Sequence, residues 1–228
     1  MSIKPTIIYG GGKIAEVIAY CMSQDPAREI AAFTVDEAYI DTAHAQGDLP
    51  IVAFENVEEH YPPSEFDMFI ALGYQDLNNL RAERFKQAKA KGYDLPSCLP
   101  SGGRDLGFSC GENCFVMDGA LIHPCASIGD NVFVWSGALV GHHSKIGDNC
   151  WVTSCANIAG VVTAGRNCFF AVNATVAHGV KLGDECFVGA NTLVSKCCED
   201  GAAFITQSTE QIRLNSRQFL RMSGFDSI

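Results

Sequence analysis

A hydrophobic or small residue recurs every six positions from Cys110 to Val194, without one insertion. In sixes the segment runs CGENCF VMDGAL IHPCAS IGDNVF VWSGAL VGHHSK IGDNCW and so on to VGANTL. The first column (Val116, Ile122, Ile128, Val134, Val140, Ile146 and their successors) is almost wholly aliphatic, and the fifth holds nothing larger than Val. Neither an α-helix nor an alternating strand has a period of six. A fixed short period signals a β-helix, in which short strands stack coil upon coil. Three sixes make one triangular coil, with the first-column side chain filling the interior and the small fifth-column residue fitting the tight corner.

Composition narrows the function classes. The 228 residues carry a formal charge of −10 and a pI near 4.9, which argues against general nucleic-acid or acidic-membrane binding. The start, MSIKPTIIYGGG, lacks the basic region and long apolar run of a signal peptide, and no stretch approaches the roughly 20 apolar residues that span a bilayer. The expected location is cytoplasmic, without membrane insertion. Cys114, Cys150, Cys168 and Cys186, four of the eleven cysteines, share the fifth column, and no C-x-x-C occurs. Packing is therefore the preferred role for these thiols over metal or redox chemistry, and no metal is expected.

A different architecture precedes the repeat. Thr6–Tyr9 is a short β-prone run followed by Gly10-Gly11-Gly12 and a helical pattern through Ile14, Val17, Ile18 and Cys21. Strands are expected at Ile30–Val35, Ile51–Phe54 and Phe66–Leu72, and a helix at Asn78–Ala90 with Leu80, Phe85 and Ala88 on one side. Strand–glycine turn–helix alternation implies a small parallel, Rossmann-like α/β domain over residues 1–92. Residues 93–109, with Pro96, Pro100 and Ser101-Gly102-Gly103, form the crossing segment. The β-helix is expected over 110–196. A tail over 197–228 follows, in which 208–223 read as a helix that docks through Ile212, Phe219 and Leu220. A glycine turn between strand and helix can seat a phosphate, or can be a tight turn without a ligand. YGGGKIAEV lacks the G-x-G-x-x-G spacing of a dinucleotide site.

The pairing of a glycine-rich α/β domain with an uninterrupted hexapeptide prism resembles the bacterial sugar acyltransferases of the PglD/NeuD type. Four stretches carry the resemblance: YGGGKIAEVI, FTVDE, WSGALVGHHSKIGD and IAGVVTAGRNCF. It implies a left-handed parallel β-helix and a homotrimer with acetyl-CoA, the acyl donor, in the groove between neighbouring prisms. It also implies that the N-terminal domain holds a nucleotide sugar, in bacterial surface-glycan biosynthesis. The family's general-base histidine falls on His142, with His143 beside it where a carboxylate is common. The third column also points His142 outward from a rigid surface, as a base requires. Gly160, one coil further, is implied to line the CoA cleft, about 4.8 Å away by strand spacing. Asp36 matches an acidic nucleotide contact; Gly10, Gly11, Gly12 and Lys13 form the turn, with Lys13 where His is frequent. Trp135 replaces a polar residue near the substrate, and the usual G-x-P-A segment after the last coil is missing. Arg166 and Lys181 are candidate cations for the CoA phosphates.

The chemistry expected is acyl transfer from a thioester to an amine or hydroxyl, with a neutral imidazole taking the proton. An amine of a nucleotide-linked sugar is the favoured acceptor; O-acetylation of sialic acid is the alternative, and a non-catalytic sugar-nucleotide scaffold a third reading. His178 lies two coils from His142, roughly 10 Å by backbone spacing, and reads as an ordinary surface residue. His123, His142 and His178 are the residue types of a zinc carbonic anhydrase, a rival enzyme class on such prisms.

Overall fold

The computed structural model describes residues 3–43, 47–100 and 107–224. At the N-terminus, β1 (Thr6–Tyr9), α1 (Lys13–Ser23), β2 (Ile30–Val35), β3 (Ile51–Ala53), α2 (Val57–His60), β4 (Asp67–Ile70) and α3 (Asn79–Ala90) follow one another. The strands form one parallel sheet in the order β3–β2–β1–β4. Every residue of β1 and β4 is buried, as in a parallel sheet covered on both faces. The third strand ends at Ala53, where Phe54 opens a 3₁₀ turn, and the fourth is shorter than its apolar run. On α3 the buried residues are Arg81, Ala82 and Ala88, while Leu80, expected on one side with Phe85 and Ala88, is 38 % exposed. The Ser101–Gly103 part of the crossing segment lies outside the described residues.

From Ser109 onward, two-residue strands recur every six residues and pair in parallel with strands one coil away, as Trp151 pairs with Phe133 and Phe169. They stack into three sheets, the faces of a prism. Val134, Val140, Val152, Ile158 and Phe170 are fully buried inside, as are the fifth-column Cys114, Cys150, Cys168 and Cys186. All eleven cysteines are free thiols. Each buried aliphatic side chain contributes about 1.5–3 kcal/mol, so the column is a continuous core.

The corners depend on the fourth column. All fourteen fourth-column residues from Asn113 to Asn191 have φ between 52° and 84°. Six are Asn and three Gly, the residues that enter the left-handed region at least cost. Val161, with φ of 64°, is the β-branched exception.

The sixth column sorts the faces. Phe115, Phe133, Trp151, Phe169 and Phe187, eighteen residues apart, line one face; Leu121, Leu139 and Leu193 belong to the second; Lys145 and Lys181 to the third. The α/β domain covers the aromatic face. Phe69 packs on Phe133 at 5.9 Å between ring centroids, and Tyr74 on Trp151 and Phe169 at 5.4 and 4.8 Å. Beside this face an asparagine ladder runs from Asn113 through Asn131 and Asn149 to Asn167, with steps of 2.8, 2.8 and 3.0 Å. Its ends are tied to the first domain by the Ile70 amide at 2.8 Å and by Asn79 at 2.7 Å.

The prism continues past residue 196, its expected end. Cys198 bridges to Leu182, and Ala203–Phe204 adds a sixth strand to the aromatic face. Asp200 caps the Asp184 amide at a spacing of 16 rather than 18 residues, so the last coil is two residues short and the hexad register slips. The tail helix α4 spans only Ser216–Ser223, opened by an Asn215–Gln218 capping box. Ile212, Phe219 and Leu220 remain 55 %, 42 % and 41 % exposed, because the chain offers their apolar face nothing to pack on among the described residues.

Candidate active site

The corner between the leucine and lysine faces carries His142 and His143, then Gly160 and Val161 one coil on, then His178 and Gly179. Ser144 anchors it: the buried hydroxyl donates to the Ala159 carbonyl (2.9 Å) and accepts from the Val162 amide (3.1 Å). The Val161 amide donates to the His142 carbonyl (2.8 Å) and the Gly179 amide to that of Gly160 (3.1 Å). On this rigid frame His142 is solvent-exposed and its Nδ1 lies 3.2 Å from Nδ1 of His143.

Gly160 gives the ring its place. A Cβ there would lie 2.6 Å from Nε2 and 2.8 Å from Cε1 of His142, so the imidazole rests over a bare Cα. This contact also corrects the distance expected for His178. The two rings lean toward each other across the glycine, with centroids 6.2 Å apart. Backbone spacing missed the approach because it ignores where side chains point. Gly160→Ala is expected to push the ring aside and lower kcat about 100-fold, the order associated with a 1 Å misplacement. Its thermal midpoint should stay near wild type; steady-state kinetics beside a melting curve decide it.

The amides of this corner differ from those of the asparagine corner. There, third-column carboxylates cap the amide one coil back: Asp130 takes Glu112 N–H (2.8 Å), Asp148 takes Asp130 N–H (2.9 Å) and Asp184 takes Arg166 N–H (2.8 Å). At the histidine corner the third column is Pro124, His142, Gly160 and His178, with no carboxylate. The amides of His142 and Gly160 accordingly have no acceptor among the described residues. They are free to serve an incoming oxygen.

The remaining candidates lie elsewhere. Lys181 is exposed on the lysine face, in register with Thr163 and Lys145. Arg166 is not brought to His142: it stands at the asparagine corner, paired with Asp184 at 2.7 Å. Trp135 packs between Phe115 and Trp151 at 5.5 Å from each, in the aromatic cluster that meets the α/β domain. Among the described residues no three metal-ligating side chains cluster.

Gly10 and Gly11 line a cavity of about 480 Å³ in the α/β domain, together with Asp36, Tyr39, Gln75, Leu80 and Arg84. Gly10 has φ of 138° and a Cβ there would meet the Ala71 carbonyl at 2.8 Å, so only glycine fits. Gly12 and Lys13 are exposed at the start of α1 and do not line the cavity. Asp36 accepts from Arg84 (2.6 Å) and Tyr9 (2.5 Å). Burial, and then that carboxylate, push the Tyr9 hydroxyl well above its ordinary pKa, so it remains a donor. Arg84 and Leu80 on the cavity wall escaped the sequence reading, since nothing in the helix pattern tells which side meets a cavity.

The cavity and His142 are separate within one chain. The α/β domain sits on the aromatic face, whereas His142 occupies the corner joining the other two faces.

Two family models match the repeat: the bacterial transferase hexapeptide (six repeats) over residues 109–142, and the hexapeptide repeat of succinyl-transferase over 161–196. Comparison with curated protein sequences gave no match. Among solved structures, a mutant perosamine N-acetyltransferase from Caulobacter crescentus, in complex with CoA and GDP-perosamine, is similar at 27 % identity and a TM-score of 0.78. The match covers 88 % of this chain and 93 % of that one. The acetyltransferase domain of PglB from Neisseria gonorrhoeae matches at 20 % identity and TM-score 0.73, over 88 % and 96 % of the two chains. WeeI from Acinetobacter baumannii matches at 15 % and 0.70, over 87 % and 94 %. These last two similarities concern the fold.

Proposed function

We infer that this chain, a hexapeptide-repeat sugar acyltransferase of the PglD/NeuD type, transfers an acetyl group from acetyl-CoA to an amine of a nucleotide-linked sugar, with His142 as general base. One observation carries the reading: an exposed imidazole is held over a bare glycine at a corner where the His142 and Gly160 amides have no acceptor among the described residues. The amine nitrogen attacks the thioester carbonyl carbon and the C–N bond forms. His142 Nε2 takes the proton the amine loses, the C–S bond breaks, and the imidazolium returns a proton to the departing thiolate. The Gly160 amide faces the developing oxyanion. Lys181, on the face flanking the corner, is the cation assigned to the CoA phosphates.

The nucleotide sugar belongs in the cavity beside Gly10, Gly11 and Asp36. Arg84 lines it as a guanidinium paired with one oxygen of Asp36, whose other oxygen accepts from Tyr9. Because this cavity lies away from its own His142, a complete site draws the two from neighbouring copies. This supports a homotrimer, as do the exposed Leu121, Leu193 and Val161 on and beside the leucine face. The similarity to perosamine N-acetyltransferase favours an amine over a hydroxyl acceptor, and a step in bacterial surface-glycan assembly.

A CoA-release assay with acetyl-CoA and a panel of UDP-, GDP- and dTDP-linked amino sugars, plus free sialic acid, tests this. Turnover on an amino sugar is expected. Turnover on sialic acid alone would move the protein to O-acetylation, and silence on every acceptor would favour the scaffold reading.

A further inference from the structure

We propose that His143 is the positioning residue of the base: its Nδ1 accepts the Nδ1–H of His142 and so leaves His142 Nε2 unprotonated over Gly160. This rests on the acyltransferase reading. Two imidazole nitrogens 3.2 Å apart form a hydrogen bond only if one carries the proton and the other does not. A neutral imidazole has a single N–H, and a base must keep its working nitrogen bare. With Nε2 at the exposed glycine gap, the proton of His142 belongs on Nδ1, and His143 carries its own on Nε2. The rings meet nearly edge-on, at 83° and 5.4 Å between centroids, which aims one nitrogen at the other.

The backbone makes the contact. His143 holds the left-handed corner position, with φ of 59°, between His142, whose carbonyl is tied to Val161, and the anchored Ser144. When His142 takes the acceptor's proton, its Nδ1–H bond becomes charge-assisted and strengthens as positive charge appears. A proton on His143 Nδ1 would instead set donor against donor. The other groups around the base are His178 two coils on, the uncharged Gly160 and Val161 between them, and Pro124 and the Cys125 thiol one coil back.

The left-handed corner also supplies clean variants, since Asn, Asp and Gly all tolerate that conformation. His143→Asn restores an acceptor and should retain kcat within about threefold. His143→Gly removes it and should lower kcat roughly 10–100-fold, the range for loss of a hydrogen-bonded orienting partner, with KM for acetyl-CoA unchanged. His143→Asp should keep turnover and move the acid limb of kcat up by about one pH unit, because a carboxylate favours the imidazolium. Equal kcat in the Asn and Gly variants would overturn the proposal. A second readout needs no turnover: ¹⁵N spectra of histidine-labelled full-length protein should show His142 as the Nδ1–H tautomer, lost in His143→Gly. An Nε2–H tautomer in the wild type would overturn it too. Lack of turnover on every acceptor, with the tautomer as expected, would count against the acyltransferase reading and leave the pairing standing.

Discussion

His142→Ala is expected to lower kcat by about 10²–10⁴-fold, the usual contribution of a positioned general base. KM for acetyl-CoA should change little, because the imidazole acts on the acceptor's proton rather than on the donor. The thermal midpoint should hold within a degree or two. The ring is solvent-exposed, and the hydrogen bonds that shape its corner come from the backbone and Ser144. Its removal therefore costs chemistry and not fold. Kinetics and a melting curve on one preparation separate the two. A variant that keeps wild-type kcat would remove His142 from the mechanism.

Arg81→Ala should destabilise the protein by about 3–5 kcal/mol, with the loss concentrated at the junction of the two domains. Arg81 is fully buried and has no carboxylate partner among the described residues. Its guanidinium donates to the carbonyls of Gly73 (3.1 Å), Asn131 (3.3 Å), Asn149 (2.7 Å) and Cys150 (3.4 Å) and to the Asn78 side chain (3.0 Å). It also lies over Phe133 at 4.5 Å and Trp151 at 5.1 Å. Burial lowers its pKa, yet an arginine starts so high that it keeps its charge near neutrality. Truncation leaves the Gly73, Asn131 and Asn149 carbonyls and the Asn78 side-chain oxygen without that donor, while Cys150 keeps the Phe133 amide; each group left unsatisfied costs about 1–3 kcal/mol, and a cavity opens besides. Arg81→Lys should recover little, since one ammonium cannot span both sets of carbonyls. Denaturant unfolding gives the magnitude. Limited proteolysis should cut the α/β domain of the alanine variant while the prism resists. A loss under 1 kcal/mol would show that the aromatic stack alone holds the domains.

Two further columns could have been read from the sequence. The Asn and Gly of the fourth column mark the left-handed corners, and the aromatic residues at 115, 133, 151, 169 and 187 mark the face that the first domain covers. Both are local consequences of the coil: an 18-residue turn puts equivalent positions in line, and each line meets one environment. Leu80 and Arg81 show the opposite case. The helical pattern set the leucine with Phe85 and Ala88 on one side, but the prism offers carbonyls and rings to the arginine, and α3 buries Arg81 while Leu80 is 38 % exposed.

The sequence alone determined the prism, its interior and the outward station of His142, because a six-residue period assigns every side chain its direction before any distant contact forms. Only the tertiary structure decided that the His178 and His142 rings come to 6.2 Å between centroids, that Arg166 pairs with Asp184 and Trp135 joins the aromatic cluster, and that the cavity beside Gly10 lies in the α/β domain with no lining residue from the prism. Those outcomes depend on which face the first domain covers and on where side-chain torsions point across a missing Cβ. Neither is a property of one stretch of chain.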